Sequence, residues 1–376
     1  MTGQFHVEEG HVAGFGAMTE ELHGQMLSCL VHVHEARPGS GYDGLMSALV
    51  GPMSTYCDGV FDRVSPLSAL IGGMRDVLTV TAWDYHGTDQ SVYEEVRELP
   101  PPALPDDTVT VVRDFPHAVA YSAGAVPALD VPDHEEADIQ GLIDDVGGSI
   151  NVIDWVVREV TGWSPVEAIV EPLAGNYAEL ERAATVLEQF GTGFEQVADN
   201  LTTPLSRLSQ HWQGGAASSF EDYTSRLGAA VAIEGPMNRL VAYVLKEVAG
   251  EFERVAEFMV TTLKSAVDKV ATSVATGWIP FVGWYKAYKT VREVIDIFNE
   301  AKALVESLQE TIEQVQAVIE AVQDPVGFVQ GQAEEILGPY IDAAGIAQDL
   351  AALDPNALQD APSDLYDVGA DPQRAG

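Results

Sequence analysis

The sequence predicts an all-α fold built from two long antiparallel helical hairpins, the second extended by a long third helix. Three observations predict it. Apolar residues recur at steps of three and four along most of the 376 residues, which keeps one face of a helix apolar. The stripes stop at glycine-bearing corners and then resume, as the two arms of a hairpin would. Period-two alternation is confined to one short run, Val109 to Val112. Hairpins of this length can pack as a four-helix bundle.

The first hairpin, residues 1–98, has one arm with the stripe Phe15, Met18, Leu22, Met26, Cys29, Val33. Pro38, Gly39 and Gly41 end it, and Tyr42 completes the tip. The returning arm carries Leu45, Leu49, Met53, Cys57, Phe61, Val64, Leu67, Ile71, Met74 and Leu78, with a bend expected at Pro52 or Pro66. Residues 99–138 turn to proline and acid (LPPPALPDD, VPALDVPDHEEAD) and read as a linker. A shorter helix is expected over 143–160, stopped by TGWSP.

The second hairpin and third helix occupy 139–323. Leu180, Ala183, Leu187, Phe190, Phe194, Val197, Leu201, Leu205, Leu208 and Trp212 form the most regular stripe in the chain. After HWQGGAASSF the pattern restarts at Phe220, passes a kink at Gly235-Pro236 and persists to Val274. Each arm of about 35 residues would span roughly 50 Å at 1.5 Å per residue. GWIPFVGWY turns the chain into a third helix with Trp284, Tyr288, Val291, Ile295, Phe298, Val305, Leu308, Ile312, Val315 and Ile319, ended by Asp324-Pro325. A weaker helical extension is expected over 324–353 and a disordered acidic tail over 354–376.

Composition narrows the function. With 19 basic against 58 acidic residues the formal charge is -39, which repels nucleic-acid phosphates and anionic membranes and suits a cationic partner or a salt-rich medium. The longest apolar run, GWIPFVGWY, falls far short of the roughly 20 residues a membrane span needs. The segment MTGQFHVEEGHVAGFGAM has no basic stretch before an apolar one, so export is expected to use a route without a Sec signal. Cys29 and Cys57 lie on facing core stripes, where two buried thiols are favoured over a disulfide.

Among nine histidines, Cys29 and His32 have the i, i+3 spacing of two ligands, but no third ligand can be placed beside them. No metal or other cofactor is therefore expected. Acidic pairs such as Asp144-Asp145 and Glu334-Glu335 read as solvated faces, and no nucleophile, phosphate cradle or catalytic motif accompanies them, so no enzymatic activity is expected.

At the HWQGGAASSF corner an indole can lie across the hairpin tip, Gly214 and Gly215 permit backbone angles closed to other residues, and Ala216, Ala217 and Ser218 let the next helix start close by. Trp212-Gln213-Gly214, followed by Ala216-Ala217 and Phe220, resembles the W-x-G family of proteins exported by the type VII (ESX) secretion system. WSPVEAIVEPLAGNYAEL (163–180) and GWIPFVGWYKA (277–287) look like flanking segments of its large multi-helix actinobacterial members. The resemblance covers about residues 140–320; a sheet at the corner, or a helix running through it, would remove its basis. The amino-terminal hairpin is similar to that family's shorter hairpins lacking W-x-G.

The resemblance implies a second export element, Tyr-x-x-x-Asp/Glu, just past a hairpin, and Tyr85 with Asp89 has that place. Tyr177/Glu181 and Tyr243/Glu247 share the spacing but lie within predicted helices, as ordinary surface neighbours. In the family, paired substrates form the composite signal across two chains. Antiparallel stacking of the hairpins here would bring Tyr85 and Asp89 beside Trp212 and Gly214 within one chain. The implied role is a secreted or surface-bound, non-catalytic binding protein, cytoplasmic before export. Its expected partners are the secretion machinery or a secretion chaperone, with homo- or hetero-oligomers through helical faces. Two alternatives remain: a membrane-active protein using residues 277–292, with Trp278, Phe281, Trp284, Lys286 and Lys289 as contacts for lipid or an acidic partner, and a cytoplasmic partner or immunity protein for a basic toxin.

Overall fold

The computed structural model describes residues 6–87, 112–125, 128–135, 154, 157–159, 161–275, 283–328, 349–350, 352–354 and 356–367, with the side chains of 263 and 267–291 outside the description. Its helices are α1 (Glu9–Val33), α2 (Val50–Gly87), α3 (Ala178–Thr202), α4 (Leu205–His211), α5 (Gly215–Ala232), α6 (Glu234–Ala275) and α7 (Gly283–Ala321). Two short strands, β1 (His6–Val7) and β2 (Trp212–Gln213), pair antiparallel. The fold is all-α, as the periodicity predicts.

α1 packs along α2, α3 packs along α6 and α5, and α1 lies on α3, so the two hairpins share one core. Every stripe residue of α1, from Phe15 to Val33, is buried, as are Leu180, Leu187, Phe190, Phe194 and Val197 of α3. The hairpins run head to tail. The tip of the first, where Gly41 has φ 95 and Gly44 φ 56, docks on the segment before α3: Asn176 N donates to Gly41 O at 2.8 Å, and Tyr42 Oη donates to Glu179 O at 3.4 Å. The open end of the first hairpin consequently reaches the corner of the second.

Local breaks refine the predicted rods. The arm leading to Trp212 is interrupted at Thr203-Pro204, and the returning arm divides at Ile233, beside the Gly235-Pro236 kink. Pro66 sits inside α2. Past the start of α3, α6 continues with α7 packed beside it, and Tyr177 feels Glu253 and Glu257 of α6 electrostatically. At the end of α7, Asp324 caps the next turn by accepting from Gly327 N at 3.1 Å, consistent with the Asp-Pro stop.

A buried ion pair joins the hairpins. Arg63 on α2 donates from Nε and Nη2 to the two carboxylate oxygens of Glu234 on α6 at 2.8 and 3.1 Å, and Asn238 Nδ2 donates to the same carboxylate at 3.2 Å. Glu234 is 0% exposed, and the carboxylate raises the Arg63 pKa against the cost of burial. Cys29 and Cys57 are free, buried thiols whose pKa values burial pushes up to about 12.

Two segments read as linker and tail lie on this frame. Residues 112–125 form an extended strap. Val119 N donates to Gly10 O at 2.8 Å, Trp83 Nε1 to Arg113 O at 3.0 Å and Arg207 Nη1 to Ala120 O at 3.1 Å. The strap fits because Gly10 and Gly14 face it: a Cβ at Gly10 would lie 2.6 Å from His117 O, and one at Gly14 would overlap the Val119 carbonyl. Residues 356–367 correct the expectation of disorder across 354–376. Arg226 donates to Asp360 O at 2.9 Å and pairs with Asp367, while Leu358, Ala361 and Leu365 pack on the core. Three apolar residues at helical spacing anchor a stretch whose acid content suggested disorder. The short run at 109–111, most of the predicted 143–160 helix and most of the 324–353 extension lie outside the described residues.

Three substitutions test this frame. Glu234→Ala strands the buried guanidinium and is expected to cost about 3–5 kcal/mol in chemical denaturation. Gly14→Ala is expected to cost about 1–3 kcal/mol by displacing the strap, with faster hydrogen exchange at Val119. Gly24→Ala on the same helix, where an added Cβ meets nothing within 4 Å, is expected instead to stabilise by about 0.5–1 kcal/mol.

Candidate functional site at the tryptophan turn

The corner at Trp212 is extended, not a tight helical turn. α4 stops at His211; Trp212 has φ -136 and ψ 113, and Gly214 has φ 124 and ψ -176 before α5 begins. That φ is closed to ordinary side chains, which accounts for Gly214. Of the two glycines only Gly214 has positive φ; Gly215 is the first residue of α5. β2 pairs with β1 in the register His6–Gln213 and Val7–Trp212, and Glu8 N donates to His211 O at 2.8 Å. The sequence reading placed no strand here. As a sheet at the corner, this two-residue pairing counts against the W-x-G resemblance, while helices still enter and leave the corner and none runs through it.

Trp212 is 4% exposed. Its indole Nε1 donates to Tyr85 Oη at 3.3 Å, with the rings edge-on at 6.2 Å and 71°. A buried indole N–H needs such an acceptor. Phe220 of α5 lies 5.4 Å from the indole and meets Phe15 of α1 edge-on at 5.5 Å. Phe15 in turn touches Tyr121 of the strap at 5.8 Å. Leu205, Leu208, Ala217 and Phe220 line a shallow depression beside the indole. Of the predicted juxtaposition, the contact of Tyr85 with Trp212 is present in the fold. Asp89 lies outside the described residues.

Beside the indole is a polar cluster that the sequence reading missed. His11 and His211 stack at 3.6 Å and 9°. Glu8 Oε1 lies 3.0 Å from His211 Nδ1 and Glu8 Oε2 3.7 Å from His11 Nε2. His11 Nδ1 lies 3.0 Å from Tyr121 Oη, and Arg207 stands 4.4 Å above the Tyr121 ring. Burial, reinforced by His211, lowers the His11 pKa. The hydrogen bond from His211 lowers that of Glu8, and the one from His86 lowers that of Glu9. Glu8 and His11 share a helix start, but His211 is distant in sequence, so no local spacing announces the group.

The remaining predicted contacts fall elsewhere. Trp278 and Phe281 lie outside the described residues. Trp284, Lys286 and Lys289 are on α7 with their side chains outside the description. Among the described residues no helix is long and apolar enough to cross a membrane. No protein-family profile, no curated protein and no solved structure matches the chain.

Acid is expected to loosen this joint. His11, Glu8 and Glu9 each hold fewer protons folded than unfolded, so their contribution is complete above the unfolded values. It is lost as pH falls, first below the imidazole value of 6.5 and then below the carboxylate value of 4.5. Denaturation midpoints measured between pH 7.5 and 5.5 should fall, and His11→Gln should reduce that slope.

Proposed function

We propose that the protein is a non-catalytic substrate of a type VII secretion system, recognised through a composite element made within one chain by Tyr85, Asp89, Trp212 and Gly214. The observation that carries this reading is the hydrogen bond between the Trp212 indole and the Tyr85 hydroxyl. It joins the end of one hairpin to the corner of the other, the arrangement that the resemblance associates with paired chains. Tyr85 stands in the last turn of α2, two residues before its end at Gly87. Asp89 completes the Tyr-x-x-x-Asp spacing in sequence and lies outside the described residues.

The remaining features agree. Both hairpins are covered on their apolar faces by each other and by α7, so the molecule can be handed to a secretion machine as a folded bundle. Its charge of -39 keeps it apart from nucleic acid and acidic surfaces and favours a cationic docking face. After export it acts by binding at the cell surface or outside the cell.

The test is export from an actinobacterial host with an active type VII system. The wild-type chain is expected in the culture medium or at the cell surface, and absent there when the system is deleted. Tyr85→Ala and Asp89→Ala are expected to cut the exported fraction at least tenfold while the protein inside the cell remains helical and soluble. Tyr85→Phe, which keeps the ring, separates loss of the hydroxyl from loss of packing. Export that survives deletion of the system, or that ignores both alanine variants, would overturn the proposal.

A further inference from the structure

We propose that Glu8, His11 and His211 form a Zn2+ site that clamps the amino-terminal strand to the tryptophan turn. One donor atom from each lies within 4.8 Å of the others. At a tetrahedral zinc the bond lengths of about 2.0–2.1 Å set neighbouring donors roughly 3.4 Å apart. The observed separations from the Glu8 carboxylate, 3.0 Å to His211 Nδ1 and 3.7 Å to His11 Nε2, bracket that value. Coordination requires the two imidazoles, which lie parallel at 3.6 Å with their lone pairs in separate planes, to unstack: a turn of the part-exposed His211 ring together with exposed Glu8 would bring both ring nitrogens and one carboxylate oxygen around a single ion.

The site is built from both sides. β1–β2 pairing and the bond from Glu8 N to His211 O hold the two main chains in register. The His11 ring is held at Nδ1 by Tyr121, so His211, stacked on it, is the ring that turns to admit the ion. With Nδ1–H donating to Tyr121 Oη, the Nε2 lone pair points to the metal, the outer-shell arrangement by which proteins orient a ligating imidazole. Two imidazoles and one carboxylate favour zinc over magnesium or calcium, which take oxygen donors. Three protein ligands leave a fourth position for water or for His6, whose Nε2 lies 3.4 Å from Glu8 Oε1.

Zinc bound here would tie residue 8 to residue 211 and hold the turn that contains Trp212. The inference rests on the geometry of the joint and is independent of the export route. Metal binding draws on the folded state only, so it would also raise the unfolding temperature.

Isothermal titration of the full chain with ZnCl2, in millimolar Mg2+ to saturate the acidic surface, tests it. One Zn2+ per chain is expected, with a rise in melting temperature. Glu8→Gln and His211→Ala should each weaken binding at least tenfold, and Tyr121→Phe about tenfold through His11. His134→Ala, whose imidazole pairs with Glu179, should leave binding unchanged. Binding should weaken as pH falls from 7.5 to 6. No saturable Zn2+ binding, or binding within threefold of wild type in both Glu8→Gln and His211→Ala, would overturn the proposal. Glu8→Gln, a change at a half-exposed side chain, decides the matter if His211→Ala fails to fold.

Discussion

Burial of the Trp212 indole is the constraint on which the arrangement of the two hairpins rests. The ring is too large to leave in water without cost, and its N–H cannot be buried without an acceptor. The acceptor is the distant Tyr85 hydroxyl from α2, and the ring is covered by the nearby Phe220 of α5, backed by the distant Phe15 of α1. The extended backbone at Trp212 and Gln213 turns the indole inward and offers main-chain groups to His6 and Val7. One corner thereby fixes the relative position of the two hairpins and of His6 and Val7.

The acidic composition leads to a second regularity. With so few basic side chains, the arginines stand where one cation can bridge elements. Arg63 joins α2 to α6, Arg239 joins α6 to Glu195 of α3 and to Asp349, and Arg226 joins α5 to residues 360 and 367. Exposed pairs of this kind contribute at most about 1 kcal/mol each. The buried Arg63–Glu234 pair differs in kind, since removing either partner leaves a charge without water or counter-ion. Among the described residues only Glu179 and Glu234 are buried acidic side chains; mutual repulsion of the others opposes compaction, and the apolar core must offset it.

Helix existence and hairpin pairing were legible because burial imposes a 3.6-residue period, and the stripes through Phe15, Met18 and Leu22 or Leu180, Ala183 and Leu187 state it openly. The helix break at Trp212 was legible from Gly214. The straps were not. Proline and acid in 112–125 and 356–367 lower the propensity for regular structure, yet Phe115, Tyr121 and Leu365 anchor both segments to helices already formed. Gly10 and Gly14 are the local trace of one such contact, but in an isolated helix a glycine pair has several meanings.

What the sequence alone determined is the set of rods, their apolar faces and the places where they stop, because these follow from local periodicity and from backbone angles open only to glycine. Which ends meet was decided by tertiary structure. The Tyr85–Trp212 bond, the β1–β2 ladder and the Glu8–His11–His211 cluster each join residues far apart along the chain. Such contacts leave no periodic signal, since they arise only when whole helices have chosen their neighbours to exclude water.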